Sequence, residues 1–149
     1  MTIYKQTRVL NQIEAGYLAG LIDGEGTISL VRKHQGENRQ LVVSISNTEK
    51  RILEYVKEIL GVGKITNKRT YQPHHIPSAA YVISNRQALS LLQQIAPLLK
   101  SYKAKRATLV LNDYIRLTSR NGKYSPTQKS DREAFIQKFF TVRDVKFQC

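Results

Sequence analysis

The stretch from Tyr17 to Leu30, YLAGLIDGEGTISL, decides how the rest of the chain is read. It begins as an apolar helix rich in small residues, meets two acids set among glycines at Asp23 to Gly26, and resumes with the alternation of a strand. Carboxylates at such a helix end are costly to desolvate, so Asp23 and Glu25 either accept backbone hydrogen bonds or hold something positive. Just upstream, Asn11 and Glu14 form a capping-box pair. Ile13, Tyr17, Leu18, Leu21 and Ile22 then keep an apolar stripe, which predicts a helix over about Gln12 to Asp23. Gly24 is expected to end it with a positive φ. From Thr27 to Lys33 the period changes to two, with Ile28 and Leu30 inward against Thr27, Ser29 and Lys33.

Outward from that stretch the pattern continues. HQGENR around Gly36 reads as a hairpin turn, after which Leu41, Val43 and Ile45 alternate with Gln40, Val42 and Ser44. Asn47 or Thr48 opens a second helix over about Glu49 to Leu60, stopped by GVG at 61–63. A second ribbon pairs Lys64 to Tyr71 with Ala79 to Ser84, across the proline-bounded loop QPHHIPS. A third helix starts at Ser84 or Asn85 and runs to Ile95, a fourth covers Lys103 to Leu117, and after the loop SRNGKYSPTQKS a last one covers about Asp131 to Phe140. The sum is an α+β chain of order α-β-β-α-β-β-α with two C-terminal helices. Its 149 residues suit one domain, 1–149, able to bury a core without staples.

Composition narrows the partners. The 24 Lys and Arg against 11 Asp and Glu give a net charge of +13, a balance that favours polyanions. The charge is distributed: residues 1–99 carry 12 basic against 7 acidic side chains, and residues 100–149 carry 12 against 4, so it is a surface property and not a tail. No apolar run is long enough for a membrane span, so no membrane partner is expected. The single Cys149 allows neither an internal disulfide nor a cysteine-rich zinc site, and the N-terminus lacks the apolar core of a secretory signal; an intracellular protein is expected, with organelle targeting left open. His74 and His75, adjacent and without a nearby cysteine, read as loop or DNA-contact residues, and GVGK lacks the spacing of a phosphate loop.

LAGLIDGEG, Leu18 to Gly26, resembles the signature of the LAGLIDADG homing endonucleases, differing from the name motif at Gly24 and Glu25. The resemblance implies a curved antiparallel DNA-binding sheet and cleavage of both strands of a long target with Mg²⁺ as cofactor, other divalent cations being possible. With one motif per chain it also implies a homodimer. Gly16, Ala19 and Gly20 are spaced to let a second copy of the helix approach closely, with Asp23 at the same interface; close packing against the chain's own core is the alternative for the three small residues, and backbone capping for Asp23. The second acid of the motif, Glu25, with the Gly24 carbonyl, is implied to bind the metal beside the scissile phosphate. SISNTEKRIL resembles the segment that supplies a polar residue near the attacking water, here Asn47, which serves equally well as a helix cap. The accompanying basic residue is Lys50 or Arg51. PLLKSYKAKRATLVL resembles the stretch carrying a catalytic-site lysine, which falls on Lys103 with Lys100 and Lys105 as competitors; a solvated basic face is the ordinary alternative.

Strand parity completes the expectation. If Ile28, Leu30, Leu41, Val43, Ile45, Ile65, Tyr81 and Ile83 face the core, the other face carries Ser29, Val31, Lys33, Gln40, Val42, Ser44, Thr66, Lys68 and Thr70, which would lie against double-stranded DNA in a major groove. A homodimer then predicts a near-palindromic target, cut across its centre to leave short 3′ overhangs. The same charge suits RNA, so a binding protein on this fold, an intron RNA maturase or a transcription regulator, is the competing function.

Overall fold

The computed structural model describes residues 5–32, 34–36, 38–68, 76–119 and 123–144. Helix α1 spans Gln12–Glu25, and its start is the capping box expected from sequence: Glu14 N donates to Asn11 Oδ1 at 2.8 Å while Asn11 N donates to Glu14 Oε1 at 3.0 Å. Strands β1 (Gly26–Val31) and β2 (Gln40–Asn47) follow, then α2 (Lys50–Leu60), β3 (Lys64–Asn67), β4 (Ala79–Ser84) and α3 (Asn85–Ile95). A 3₁₀ turn at Ala96–Leu98 leads to α4 (Lys103–Asp113) and α5 (Pro126–Asp144). The fold class is the α+β arrangement expected, and the sheet is antiparallel throughout, in the order β1-β2-β4-β3.

Register explains why one face is covered. Gly26 pairs with Ile45 and Val31 with Gln40, while Val43 pairs with Ile83 and Ile45 with Tyr81. This brings Ile28, Leu30, Leu41, Val43, Ile45, Tyr81 and Ile83 to one side, each at most 1% exposed. Helices α1 and α3 pack on β2, α2 on β4 and α4 on β1, filling the core with Leu18, Ile22, Leu53, Val56, Leu91, Leu92 and Phe139. The GVG stop works in two ways. Gly61 is left-handed (φ 74) as the cap of α2, and Gly63 (φ 95) passes so close to Tyr81 that an added Cβ would lie 2.4 Å from its hydroxyl, which donates to the Val62 carbonyl at 2.7 Å.

The outer edge of β1 is closed by arginines. Arg106 of α4 donates to the Ile28 carbonyl and Arg39 to the Leu30 carbonyl, both at 2.9 Å, and Arg132 of α5 donates to the Arg39 and Leu117 carbonyls. The rings of Phe139 and Phe140 lie 4.5 Å and 5.0 Å from the guanidiniums of Arg106 and Arg39. An edge strand left bare would offer these carbonyls to a neighbouring strand, and here guanidiniums take them instead.

Four boundaries depart from expectation. Helix α1 runs through Gly24, which has no positive φ, and ends at Gly26 in extended conformation. Glu49 is the N-cap of α2, with the Asn47 side chain two residues earlier. α4 stops at Asp113, four residues before Leu117. α5 starts at Pro126, ahead of Asp131, because Ser125 and Gln128 form a reciprocal cap and Pro126 suits the first helical position. Lys33, Thr70, Tyr71, His74 and His75 lie outside the described residues.

Candidate functional site

The end of α1 is fastened to the start of α4 by a reciprocal clasp. Asp23 accepts from Lys100 N at 2.8 Å, Ser101 N at 3.0 Å and Ser101 Oγ at 2.5 Å. Lys103, 6% exposed, returns the favour by donating its ammonium to the carbonyls of Ile22 at 2.8 Å and Asp23 at 2.9 Å. A helix leaves its last carbonyls unpaired and its C-terminus partially negative, so a buried cation there satisfies acceptors and complements the dipole. Burial pushes the Asp23 carboxyl up, but the Ser101 hydroxyl, the two backbone donors and the Lys103 charge outweigh it and hold Asp23 below its ordinary 3.8.

This clasp leaves Glu25 standing clear. Glu25 closes α1, is exposed, and no hydrogen bond or ion pair engages its carboxylate among the described residues. Gly24 beside it has open space where a Cβ would be, and its carbonyl receives neither the Lys103 ammonium nor the Gly26 amide. Gly26 is the tight point: an added Cβ would lie 2.8 Å from Ile22 Cα, so the direct passage from helix into β1 needs glycine. An exposed, unengaged carboxylate with a neighbouring carbonyl is a hard-oxygen pair of the kind Mg²⁺ takes. Among the described residues no group of three or more His, Cys, Asp or Glu comes together.

Asn47 lies at the same end of the sheet. The β1–β2 ladder begins at Gly26 opposite Ile45, and Asn47 ends β2 two residues beyond Ile45, on the side where α1 enters β1. Its Oδ1 accepts from Glu49 N at 2.8 Å, a local turn ahead of α2 and not the helix cap offered as the alternative, since Glu49 is the N-cap and no side chain caps the helix; the Asn47 amide nitrogen is left to donate. Lys50, Arg51, Lys100 and Lys105 are all exposed.

The residues expected to face a second copy separate into two groups. Gly16 and Gly20 are exposed and, like Gly24, have nothing within 4 Å of a hypothetical Cβ. They form an open stripe with Ile13 (83% exposed) and Tyr17 (43%), whose ring meets Tyr55 edge-on at 5.4 Å. Ala19 is 2% exposed and belongs to the chain's own core, while Asp23 is turned toward Lys100 and Ser101; neither is on the stripe. The alternative readings, core packing for Ala19 and capping for Asp23, describe these two.

The second face of the sheet carries no helix among the described residues. Register brings Thr27, Ser29 and Val31 of β1 beside Ser44, Val42 and Gln40 of β2, followed by Val82 and Ser84 of β4 and Lys64 and Thr66 of β3. Thr27 Oγ1 and Ser44 Oγ are bonded at 2.7 Å. Lys68 continues from β3 beyond its last ladder residue, with its N–H on the Ser78 carbonyl at 2.9 Å. Ser46, Lys64, Ala80, Val82 and Ser84 were absent from the expected face. The inward assignment of Tyr81 and Ile83 already implied three of them by parity.

Comparison with known proteins agrees with this architecture. A family profile described as "LAGLIDADG-like domain" matches residues 12–96, more than half of the chain. The homing endonuclease I-CvuI, in a crystal structure with the I-CreI target and Mg in which the DNA is not cleaved, superposes with a TM-score of 0.72 at 19% identity, covering 88% of this chain and 82% of that one. The archaeal intron-encoded homing endonuclease I-Vdi141I, complexed with DNA, gives a TM-score of 0.58 at 18% identity over 87% of this chain and 84% of that one. The meganuclease I-SmaMI, bound to uncleaveable DNA, gives 0.58 at 17% identity over 83% of this chain but only 43% of that one. No curated protein matches the chain. Among the described residues no helix is long and apolar enough to cross a membrane.

Proposed function

We propose that this chain, a member of the LAGLIDADG-like domain family with one copy of the motif in its sequence, is a site-specific DNA endonuclease of the homing type that acts as a homodimer on a long, near-palindromic double-stranded target. The observation that carries this reading is the Glu25 carboxylate, exposed and unengaged at the end of α1 while Asp23 and Lys103 are both tied to the scaffold beneath it. An acid with no structural partner, beside an open glycine stripe, is what a shared two-fold site needs. Two helices approaching through Gly16, Gly20 and Gly24 would bring two copies of Glu25 near one axis, each completing the ligand set the other lacks.

Glu25 and the Gly24 carbonyl would hold the divalent cation, for which Mg²⁺ is the natural choice. When bound it would polarise the phosphate, lower the pKa of the attacking water and stabilise the leaving oxygen. The residues of this chain orient and support. Asn47 offers its free amide protons at the same end of the sheet, Lys103 fixes the α1 terminus and brings positive charge close behind it, and the sheet face with its flanking lysines and arginines holds the duplex. In the reaction a water oxygen bonds to phosphorus as the bond to the leaving oxygen breaks, the water's proton passes to solvent, and the leaving oxygen takes up a proton from solvent to become a hydroxyl.

The test uses the full chain and the insertion-free allele of its host gene. Mg²⁺-dependent cutting of both strands is expected, with Glu25→Gln abolishing cleavage and retaining binding. Full cleavage by Glu25→Gln removes the metal assignment. Tight binding without cutting, together with stimulation of intron splicing that survives Glu25→Gln, identifies the RNA maturase instead.

A further inference from the structure

Gln40 begins β2 on the uncovered sheet face, opposite Val31, and a line of hydrogen bonds ties its side chain to the core. The line starts at Leu41 N, a backbone group that only donates, which bonds Tyr114 Oη at 3.1 Å. Tyr114 is 2% exposed, and its own single proton goes to Asn85 Oδ1 at 2.7 Å. That sets the Asn85 amide with oxygen inward and nitrogen outward, and Asn85 Nδ2 donates to Gln40 Oε1 at 3.0 Å. Turning Asn85 around would aim an N–H at a hydroxyl already receiving one and leave the buried tyrosine proton without an acceptor. The Gln40 oxygen is thereby held toward Asn85, and its Nε2 has no partner among the described residues.

Asn85 is also the one described non-glycine residue with a positive φ, 53°, at the first position of α3. Asparagine is among the few side chains that tolerate this region, and a strained residue persists where its surroundings require it. Here Tyr114 on one side and Gln40 on the other require it.

We infer that Tyr114 and Asn85 are positioning residues that fix the polarity of the Gln40 amide, so that this chain selects an acceptor-only base edge, guanine O6 and N7, at one position of each half-site. The inference rests on the reading of the uncovered face as the DNA-contacting surface. A freely turning glutamine pairs with adenine, accepting from N6 while donating to N7. With its oxygen held by Asn85, Gln40 presents two N–H groups and discriminates against that edge.

Asn85→Asp tests the relay, because the new carboxylate still accepts from Tyr114 but can no longer donate to Gln40. Gln40 must then rotate its Nε2 inward and turn its oxygen to the DNA. In selections from a randomised target library, the full-length chain is expected to prefer guanine at one symmetric position. Asn85→Asp should replace it there with cytosine or adenine, a reversal of roughly ten-fold or more, with other positions unchanged. Asn85→Gly keeps the left-handed backbone and should flatten the preference at that position alone. Guanine retained in Asn85→Asp, or adenine preferred by the wild type there, overturns the inference.

NMR on the free chain supplies a readout without DNA. The Asn85 amide protons should be protected and those of Gln40 freely exchanging, with protection moving to Gln40 in Asn85→Asp. Protected Gln40 protons in the wild type overturn the relay even if DNA binds specifically. The expected NMR pattern in a protein that binds no DNA leaves the relay standing but overturns the base reading together with the proposed function.

Discussion

Replacing Asp23 tests how the candidate site is held. In Asp23→Ala three donors, Lys100 N, Ser101 N and Ser101 Oγ, lose a charged acceptor, and the Lys103 ammonium loses a neighbouring negative charge. Hydrogen bonds to ionised groups contribute about 1.5–3 kcal/mol each, but these donors lie near the surface and water recovers part of the loss, so the net cost is about 2–4 kcal/mol. Asp23→Asn keeps one acceptor oxygen for Ser101 and sets an amide nitrogen against Lys100 N, for about 1–2 kcal/mol. Urea unfolding at fixed protein concentration reads both, as a midpoint lowered by about 1–2 M for Asp23→Ala at a typical slope.

The pH dependence carries a sign. The folded Asp23 carboxyl titrates below its ordinary 3.8, so its contribution is fully present above that value and is lost as pH falls through the lower folded value. The gap between wild type and Asp23→Asn should therefore be constant near neutrality and narrow in acid. A cost below about 0.5 kcal/mol for Asp23→Ala, the range of an ordinary surface change, would refute the clasp, as would a gap that stays constant through the acid limb.

Two glycines should fail under the smallest enlargement. Gly26→Ala forces a Cβ against the Ile22 backbone, and Gly63→Ala adds left-handed strain to a clash with Tyr81; each should cost at least about 1–3 kcal/mol by thermal or denaturant unfolding. DNA affinity should fall steeply with salt, by about 10³-fold or more between roughly 50 and 200 mM if six or more phosphates are neutralised, measured by fluorescence anisotropy with wild type and Glu25→Gln following the same slope.

Local signals explain what the sequence disclosed. The Asn11–Glu14 cap, the alternation of Ile28 and Leu30 with Thr27 and Ser29, and the glycine stop after Leu60 are interactions between near neighbours. The end of α1 is not legible in its local sequence because Lys103, 80 residues away, joins the adjacent Gly26 amide in taking its carbonyls, so Gly24 has no turn to make. Gly16, Ala19 and Gly20 lie within five positions, and composition alone does not say which of them points inward; the core behind Ala19 decides it. The early start of α5 is written in Ser125, Pro126 and Gln128, inside a stretch whose composition reads as loop. Gln40 was expected on the sheet face, whereas the tyrosine and asparagine that orient it belong to α3 and the end of α4 and leave no local trace.

The association of two chains through the glycine stripe is the claim on which the rest depends, and sedimentation of wild type beside Gly20→Leu tests it most directly. Nothing in the protomer lies within 4 Å of the added Cβ, so Gly20→Leu should fold at least as stably as wild type, helped by higher helix propensity. Wild type is expected to sediment at twice 17.0 kDa and Gly20→Leu at 17.0 kDa, with its specific cleavage lost. A wild type that remains at 17.0 kDa when saturated with target DNA, or a Gly20→Leu that pairs as well as wild type, would contradict it.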